Sequence, residues 1–135
     1  AILGRLVGSE MCIRDRHTII PGMVIDKDNN TTLSYGVMGG QYQPVGQVHV
    51  LNNMIDYGMG PQEALSFPRA FHFNNIYKLE KSVDNQIFNE LKEIGHNVEY
   101  IDGTHGGGQA IKINRTEGDL LGGSDPRKDG YAKGY

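Results

Sequence analysis

Two adjacent glycines, Gly39 and Gly40, stand in the stretch GVMGGQYQPVG, Gly36 to Gly46, between a strand-like segment and a helical one. A glycine pair has two physical uses. It lets the backbone take positive φ, and it removes the Cβ atoms that block close approach. At the mouth of a helix such a pair can aim consecutive N–H groups at one point, where the helix dipole favours negative charge. An acyl-transfer centre needs that arrangement to hold the oxyanion of a tetrahedral intermediate, and losing one such donor costs about 3–4 kcal/mol of transition-state stabilisation. The plainer use is to let a strand pack closely on a helix, and the pattern alone favours it. Gln41 and Gln43 flank the pair and are candidates to contact substrate amide groups.

Other residue types carry weaker signals. His49 falls one turn into the helical segment and reads as a core histidine with its hydrogen bonds satisfied. His72, in RAFHF, reads as a supporting or a surface residue. His105 precedes three glycines, a weak hint of a metal or phosphate loop. No second ligand stands at a zinc-like spacing, so no metal is assigned. Asp125 and Arg127, in SDPR, read as a structural salt bridge of the C-terminal loop, which contributes little if exposed. Arg69, after Pro68, can bridge to a carboxylate that the sequence does not name.

The elements that must position these residues fit one domain of 135 residues. The hydrophobic share is 38% with no Trp, enough for a modest core. A net charge of −3 with scattered basic residues argues against nucleic acid and against an anionic membrane surface. No apolar run approaches the roughly 18 residues of a membrane span. The single Cys12 excludes an intrachain disulfide. LVGSEMCIRDR, Leu6 to Arg16, resembles translated adapter DNA, so residues 1–16 read as a non-native adapter-derived segment and residues 17–135 as the domain.

Met23 to Asp26 and TTLSYGVM, Thr31 to Met38, read as a hairpin around the turn material KDNN. In QVHVLNNMIDYG, Val48, Leu51 and Ile55 form one apolar stripe and Val50, Met54 and Tyr57 another, which predicts a helix buried over much of its circumference and stopped by Gly58 at C′. Pro61 opens a short helix and Pro68 closes that segment. Ile76 to Lys81 reads as a strand. A helix over Val83 to Ile94 follows, capped by Ser82 or Asp84, with Ile87, Leu91 and Ile94 inward. NVEYI and QAIKIN read as strands, RTEGD as a turn leading into LLGG, and the tail as irregular. Sequential helices with strands on either side predict a layered α+β sandwich. The GxGxxG and GxxxxGK[ST] nucleotide motifs are absent.

YGVMGGQYQPVGQVHVLNNMIDYGMGPQEALSFPRAFH resembles the γ-glutamyltransferase family, in the C-terminal part of its small subunit, and EKSV, GGGQAI and GGSDPRKDGYAKGY extend the likeness in order from about His17 to Tyr135. The resemblance implies an N-terminal-nucleophile hydrolase fold, a four-layered αββα sandwich of which this chain is part. It implies a precursor that cuts itself, and a new N-terminal threonine that attacks a γ-glutamyl or related acyl amide with its own amine as base. It places the oxyanion glycines at Gly39 and Gly40 and implies no cofactor.

The sequence departs from the family in two places. The only Thr-Thr, Thr31–Thr32, is followed by Leu33 and sits seven residues before Gly39, where a β-branched strand start is the expected role. The chain thus reads as a fragment lacking the nucleophile, inactive alone, whose partner is the missing N-terminal portion with the large subunit. Ile19 and Ile20 stand where transpeptidases carry a serine pair for the substrate carboxylate, and isoleucine offers no donor. With GGQYQPVGQ replacing the serine-containing loop, both features resemble the acylase-like or amidohydrolase-like branch. A different class of reading is a non-catalytic glycine-rich module that binds an anion or small molecule.

Overall fold

The computed structural model describes residues 19–134, so the adapter-like segment 1–16 lies outside the described residues. Strands β1, Gly22–Ile25, and β2, Thr31–Met38, form the expected hairpin. Its turn is built by Asp26, whose Oδ1 accepts the amides of Asp28 and Asn30, both at 2.9 Å. The second half of the sheet comes from the far end of the chain. Strand β6, Gly107–Asn114, pairs antiparallel with β2, and β7, Asp119–Ser124, pairs with β6, giving the order β1-β2-β6-β7.

Helices α1, Gln43–Ile55, and α2, Pro61–Ser66, cover one face of this sheet. Leu33, Val37 and Ala110 from the strands meet Val50 and Met54 from α1 and Ala64 and Leu65 from α2, all buried. The opposite face holds Met23, Met38, Ile111 and Leu120, and Leu120 is 67% exposed. One sheet with one helical layer and a bare apolar second face is half of an αββα sandwich.

A smaller sheet abuts the first. Strands β3, Ala70–Phe73, and β4, Ile76–Glu80, form a hairpin, and β5, Val98–Ile101, lies parallel to β4 after the crossover helix α3, Asn85–Glu93. Asp84 caps α3 by accepting the Gln86 amide at 2.7 Å. Phe88 of α3 stacks on Tyr100 of β5 with centroids 4.6 Å apart.

The structure departs from the sequence reading at several points. Strand β3 was not legible in RAFHF; its signal was the two-residue loop Asn74–Asn75, both at positive φ, which suits a tight hairpin. Of the two predicted stripes only Val50 and Met54 are buried, whereas Val48, Ile55 and Tyr57 are exposed. Helix α3 buries none of Ile87, Leu91 or Ile94. Periodicity tells which residues share a face, not whether this chain itself covers that face. Helix α1 also begins earlier than its apolar pattern, because Pro44 fits the first turn, and Gly58 takes its positive φ two residues beyond the cap Asp56, not one.

Candidate active site

The ladder between β2 and β6 stops at the pair Met38 and Gly107, so neither Gly39 nor Gly40 belongs to it. Gly39 has φ 136° and ψ 27°, and Gly40 has φ 56°. With ψ near zero the nitrogens of residues 39 and 40 eclipse across the intervening Cα, which sets their N–H groups on one side of the chain, as in an anion-binding nest. The Gly39 carbonyl accepts the Tyr42 amide at 3.1 Å, opening a single 3-10 turn, Gly40–Tyr42, that runs directly into α1. The turn is therefore the mouth of a helix. A Cβ at Gly39 would lie 2.9 Å from the Gly106 Cα, while one at Gly40 would meet nothing within 4 Å.

The floor of the turn is the segment His105 to Gly108. A Cβ on Gly106, itself at φ 62°, would be driven into the Met38 carbonyl and the Tyr42 ring. His105 stacks on Tyr42 at 5.3 Å and 22°, meets Phe71 edge-on at 5.8 Å, and places its Nε2 3.0 Å from the Lys78 carbonyl. Burial pulls the His105 imidazole below its usual pKa. Burial also pushes the Tyr42 phenol up to about 12, so it stays neutral, and its hydroxyl is buried without a hydrogen-bond partner among the described residues.

Four buried charges hold this floor. Arg69 donates to Asp125 Oδ2 at 2.6 Å and to the His105 carbonyl at 2.8 Å, with both side chains fully buried. Asp125 Oδ2 also accepts the Gly108 amide at 2.8 Å. Glu80 Oε1 accepts the His105 amide at 2.8 Å and Arg127 Nε at 2.8 Å, and Oε2 accepts the Arg69 amide at 3.1 Å. Arg127 reaches Asp125 Oδ1 at 3.2 Å, closing a cluster of two cations and two anions. Burial works to raise the Glu80 pKa, but the hydrogen bonds from Arg127 and the two amides outweigh it and hold the carboxyl low. The expected structural bridge between Asp125 and Arg127 is thus present and buried, and Arg69 has its carboxylate partner in Asp125. Four polar groups were enclosed together because each neutralises another and satisfies a main-chain amide or carbonyl.

Two cavities flank the turn. One, of about 380 Å³, is lined by Ile19, Ile20, Met38, Gln43, Gln47 and Lys128 among others. The other, of about 520 Å³, is lined by Gly39, Gln41, Tyr42, Lys78, His105 and Lys128 among others. Their described lining carries two lysines and no carboxylate. Gly39 and Gln41 thus line one cavity and Gln43 the other, with Gln41 exposed and Gln43 buried. Ile19 and Ile20 line the first cavity, and the Ile20 carbonyl accepts Gln47 Nε2.

The remaining candidates lie outside both cavities. Thr31 and Thr32 begin β2, with Thr32 Oγ1 donating to the Val24 carbonyl at 3.2 Å. His49 is half-buried, its Nε2 3.3 Å from Asn53 Nδ2, and burial lowers its pKa. His72 is exposed on β3. No cluster of three metal-ligating side chains occurs among the described residues. Sequence reasoning missed Tyr42, Glu80, Lys78 and Lys128. Tyr42 belongs to the turn itself but carries no signal beyond its aromatic ring, while Glu80, Lys78 and Lys128 reach the site by strand pairing or loop packing, which leaves no local pattern.

Comparison with known proteins agrees with this fold. The profile of the family described as gamma-glutamyltranspeptidase matches residues 12–135. The glutathione hydrolase-like YwrD proenzyme of Bacillus subtilis is 37% identical over 131 residues, covering 90% of this chain and 24% of that protein. The oxamate amidohydrolase proenzyme of Klebsiella pneumoniae is 34% identical over 127 residues, covering 88% and 24%. The crystal structure of cephalosporin acylase from Bacillus halodurans superposes with a TM-score of 0.80 at 38% identity, over 88% of this chain and 23% of that one. The chain spans about a quarter of the length of the curated relatives it matches.

Proposed function

From the premise that this chain belongs to the γ-glutamyltranspeptidase family, we propose that it supplies the oxyanion hole of an acyl-transfer or amide-hydrolysing enzyme. The observation that carries the reading is the glycine turn. Two consecutive amides outside the strand ladder fall on one side of the chain, at a helix mouth, between two cavities. The nucleophile is an N-terminal threonine that a longer precursor exposes on cleavage. Two relatives are themselves named proenzymes, which fits that origin. The remainder of the precursor is the partner, and it covers the bare face of the four-stranded sheet.

The chemistry then runs as follows. The threonine oxygen attacks the amide carbonyl carbon and its proton passes to the threonine amine. The carbonyl oxygen becomes an oxyanion facing the N–H groups of Gly39 and Gly40. The C–N bond breaks as the amine returns the proton to the leaving nitrogen. Water or an amine then attacks the acyl-threonine ester, losing a proton to the threonine amine, and the ester C–O bond breaks as that proton returns to the threonine oxygen, releasing the acid or the new amide. Gln41 and Gln43 line the two cavities and are assigned to substrate amide groups. Lysines without carboxylates in the described lining favour a substrate that carries an anionic group, as a γ-glutamyl amide does.

The test is turnover of γ-glutamyl-p-nitroanilide and of simple acyl amides by the full-length precursor. Gly39→Ala, which pushes the turn off Gly106, is expected to lower kcat about 100-fold. Gly40→Ala faces open space, keeps its N–H, pays only about 1 kcal/mol for left-handed backbone, and loses less. An unchanged kcat in Gly39→Ala would remove the oxyanion assignment.

A further inference from the structure

His105 is a buried imidazole that the chemistry above does not use, yet it is fixed on three sides. Its amide donates to Glu80 and its carbonyl accepts Arg69, so the buried ion cluster grips its main chain before and after the ring. Its Nε2 meets the Lys78 carbonyl on β4. Its ring face lies on Tyr42. Tyr42 in turn donates its amide to Gly39, and the next residue, Gly106, touches the space a Gly39 side chain would need. A continuous path of contacts therefore runs from Asp125 and Glu80 through His105 and Tyr42 to the turn.

We propose that His105 is a positioning residue, whose ring, stacked on Tyr42, transmits the rigidity of the buried ion cluster to the Gly39–Gly40 turn. The proposal rests on the oxyanion reading. The hydrogen bond to Lys78 orients the imidazole, but the stacked face carries the effect, because that face lies on Tyr42, in the turn that Gly39 opens. The surroundings favour a neutral ring. Arg69, Arg127, Lys78 and Lys128 stand around it as cations, with Glu80 and Asp125 committed to the two arginines, and Tyr42 is a neutral phenol. A stacked neutral aromatic can thus be replaced by phenylalanine, whereas a flexible amide cannot replace it.

Two variants of the full-length precursor separate the roles. His105→Phe keeps the stack and loses the bond to Lys78. His105→Gln keeps a donor for Lys78 and loses the stack. With kcat counted per processed molecule, His105→Gln is expected to lose about 10- to 100-fold in kcat with KM within about twofold, and His105→Phe to retain most of it. In a Gly39→Ala background His105→Gln should add less than about twofold, because both changes act on one turn. A purely structural histidine would lower thermal stability or yield and leave kcat per processed molecule unchanged, which overturns the proposal. So does a loss greater in His105→Phe than in His105→Gln, or effects that multiply in the double variant. If Gly39→Ala itself leaves kcat intact while His105→Gln lowers it, the oxyanion reading fails and this path to the turn fails with it. If Gly39→Ala lowers kcat and His105→Gln does not, only the positioning role is lost.

Discussion

An alanine at Gly40 would meet no atom within 4 Å, whereas one at Gly106 would be forced into the Met38 carbonyl and the Tyr42 ring. Both positions have positive φ. The difference lies in what surrounds them. Around Gly106 to Gly108 the space is filled by Met38, Lys128, Leu65 and Val37, so these glycines exist because other atoms already occupy the Cβ site. Gly39 shares that constraint on its inner side, against Gly106, while Gly40 faces out. The supporting segment is bare because it is packed, whereas Gly40 of the turn is bare with nothing packed against it.

The sharpest way to break this contrast is to remove the clamp under the supporting segment. Asp125→Ala leaves Arg69 buried and unpaired and frees the Gly108 amide, so a loss of about 3–5 kcal/mol is expected by urea denaturation of the full-length protein. A loss below about 1 kcal/mol would show that the cluster does not hold the floor.

Acid probes the same support more gently. His105 and His49 have folded pKa values below 6.5, and Glu80 has one below 4.5. In each case the unfolded chain binds the proton more readily. The stability due to the histidines is therefore complete above about pH 6.5 and lost as pH falls through their folded values, and that due to Glu80 is lost further down, below about 4.5. Melting temperature should fall in two stages on acidification, and His105→Phe should shrink the first. A melting temperature that rises between about pH 7 and about pH 5 would contradict the sign.

The smallest expected effect belongs to Tyr42→Phe. The ring packs against His105 and Phe71, but the hydroxyl is buried without a partner among the described residues. Its removal should change stability by less than about 1 kcal/mol, and in the favourable direction, as read by calorimetry. A clear loss would mean that the hydroxyl meets a group from the rest of the precursor.

Much of this was readable in advance where the signal is local. The β1–β2 hairpin follows from KDNN between apolar segments, α2 from Pro61, and the cap of α3 from Asp84. Gly39 and Gly40 stood out because glycine is the one residue whose bare backbone is itself the message. The burial of Asp125 and Arg127 was not readable, because charge in a sequence does not say whether its counter-charges lie nearby. Here Glu80 and Arg69 arrive from 47 and 56 residues away. Nor could Tyr42 be told from any other aromatic before His105 was laid across it.

By itself, then, the sequence determined the elements other than β3, the turn chemistry and the position of the glycine pair, since these depend on backbone freedom and periodicity within a few residues. Only the tertiary structure decided that β6 would run beside β2, that four charges would be sealed beneath the turn, and which apolar stripes would stay uncovered. Those outcomes depend on which distant groups exclude water together, a property that no single stretch of chain possesses.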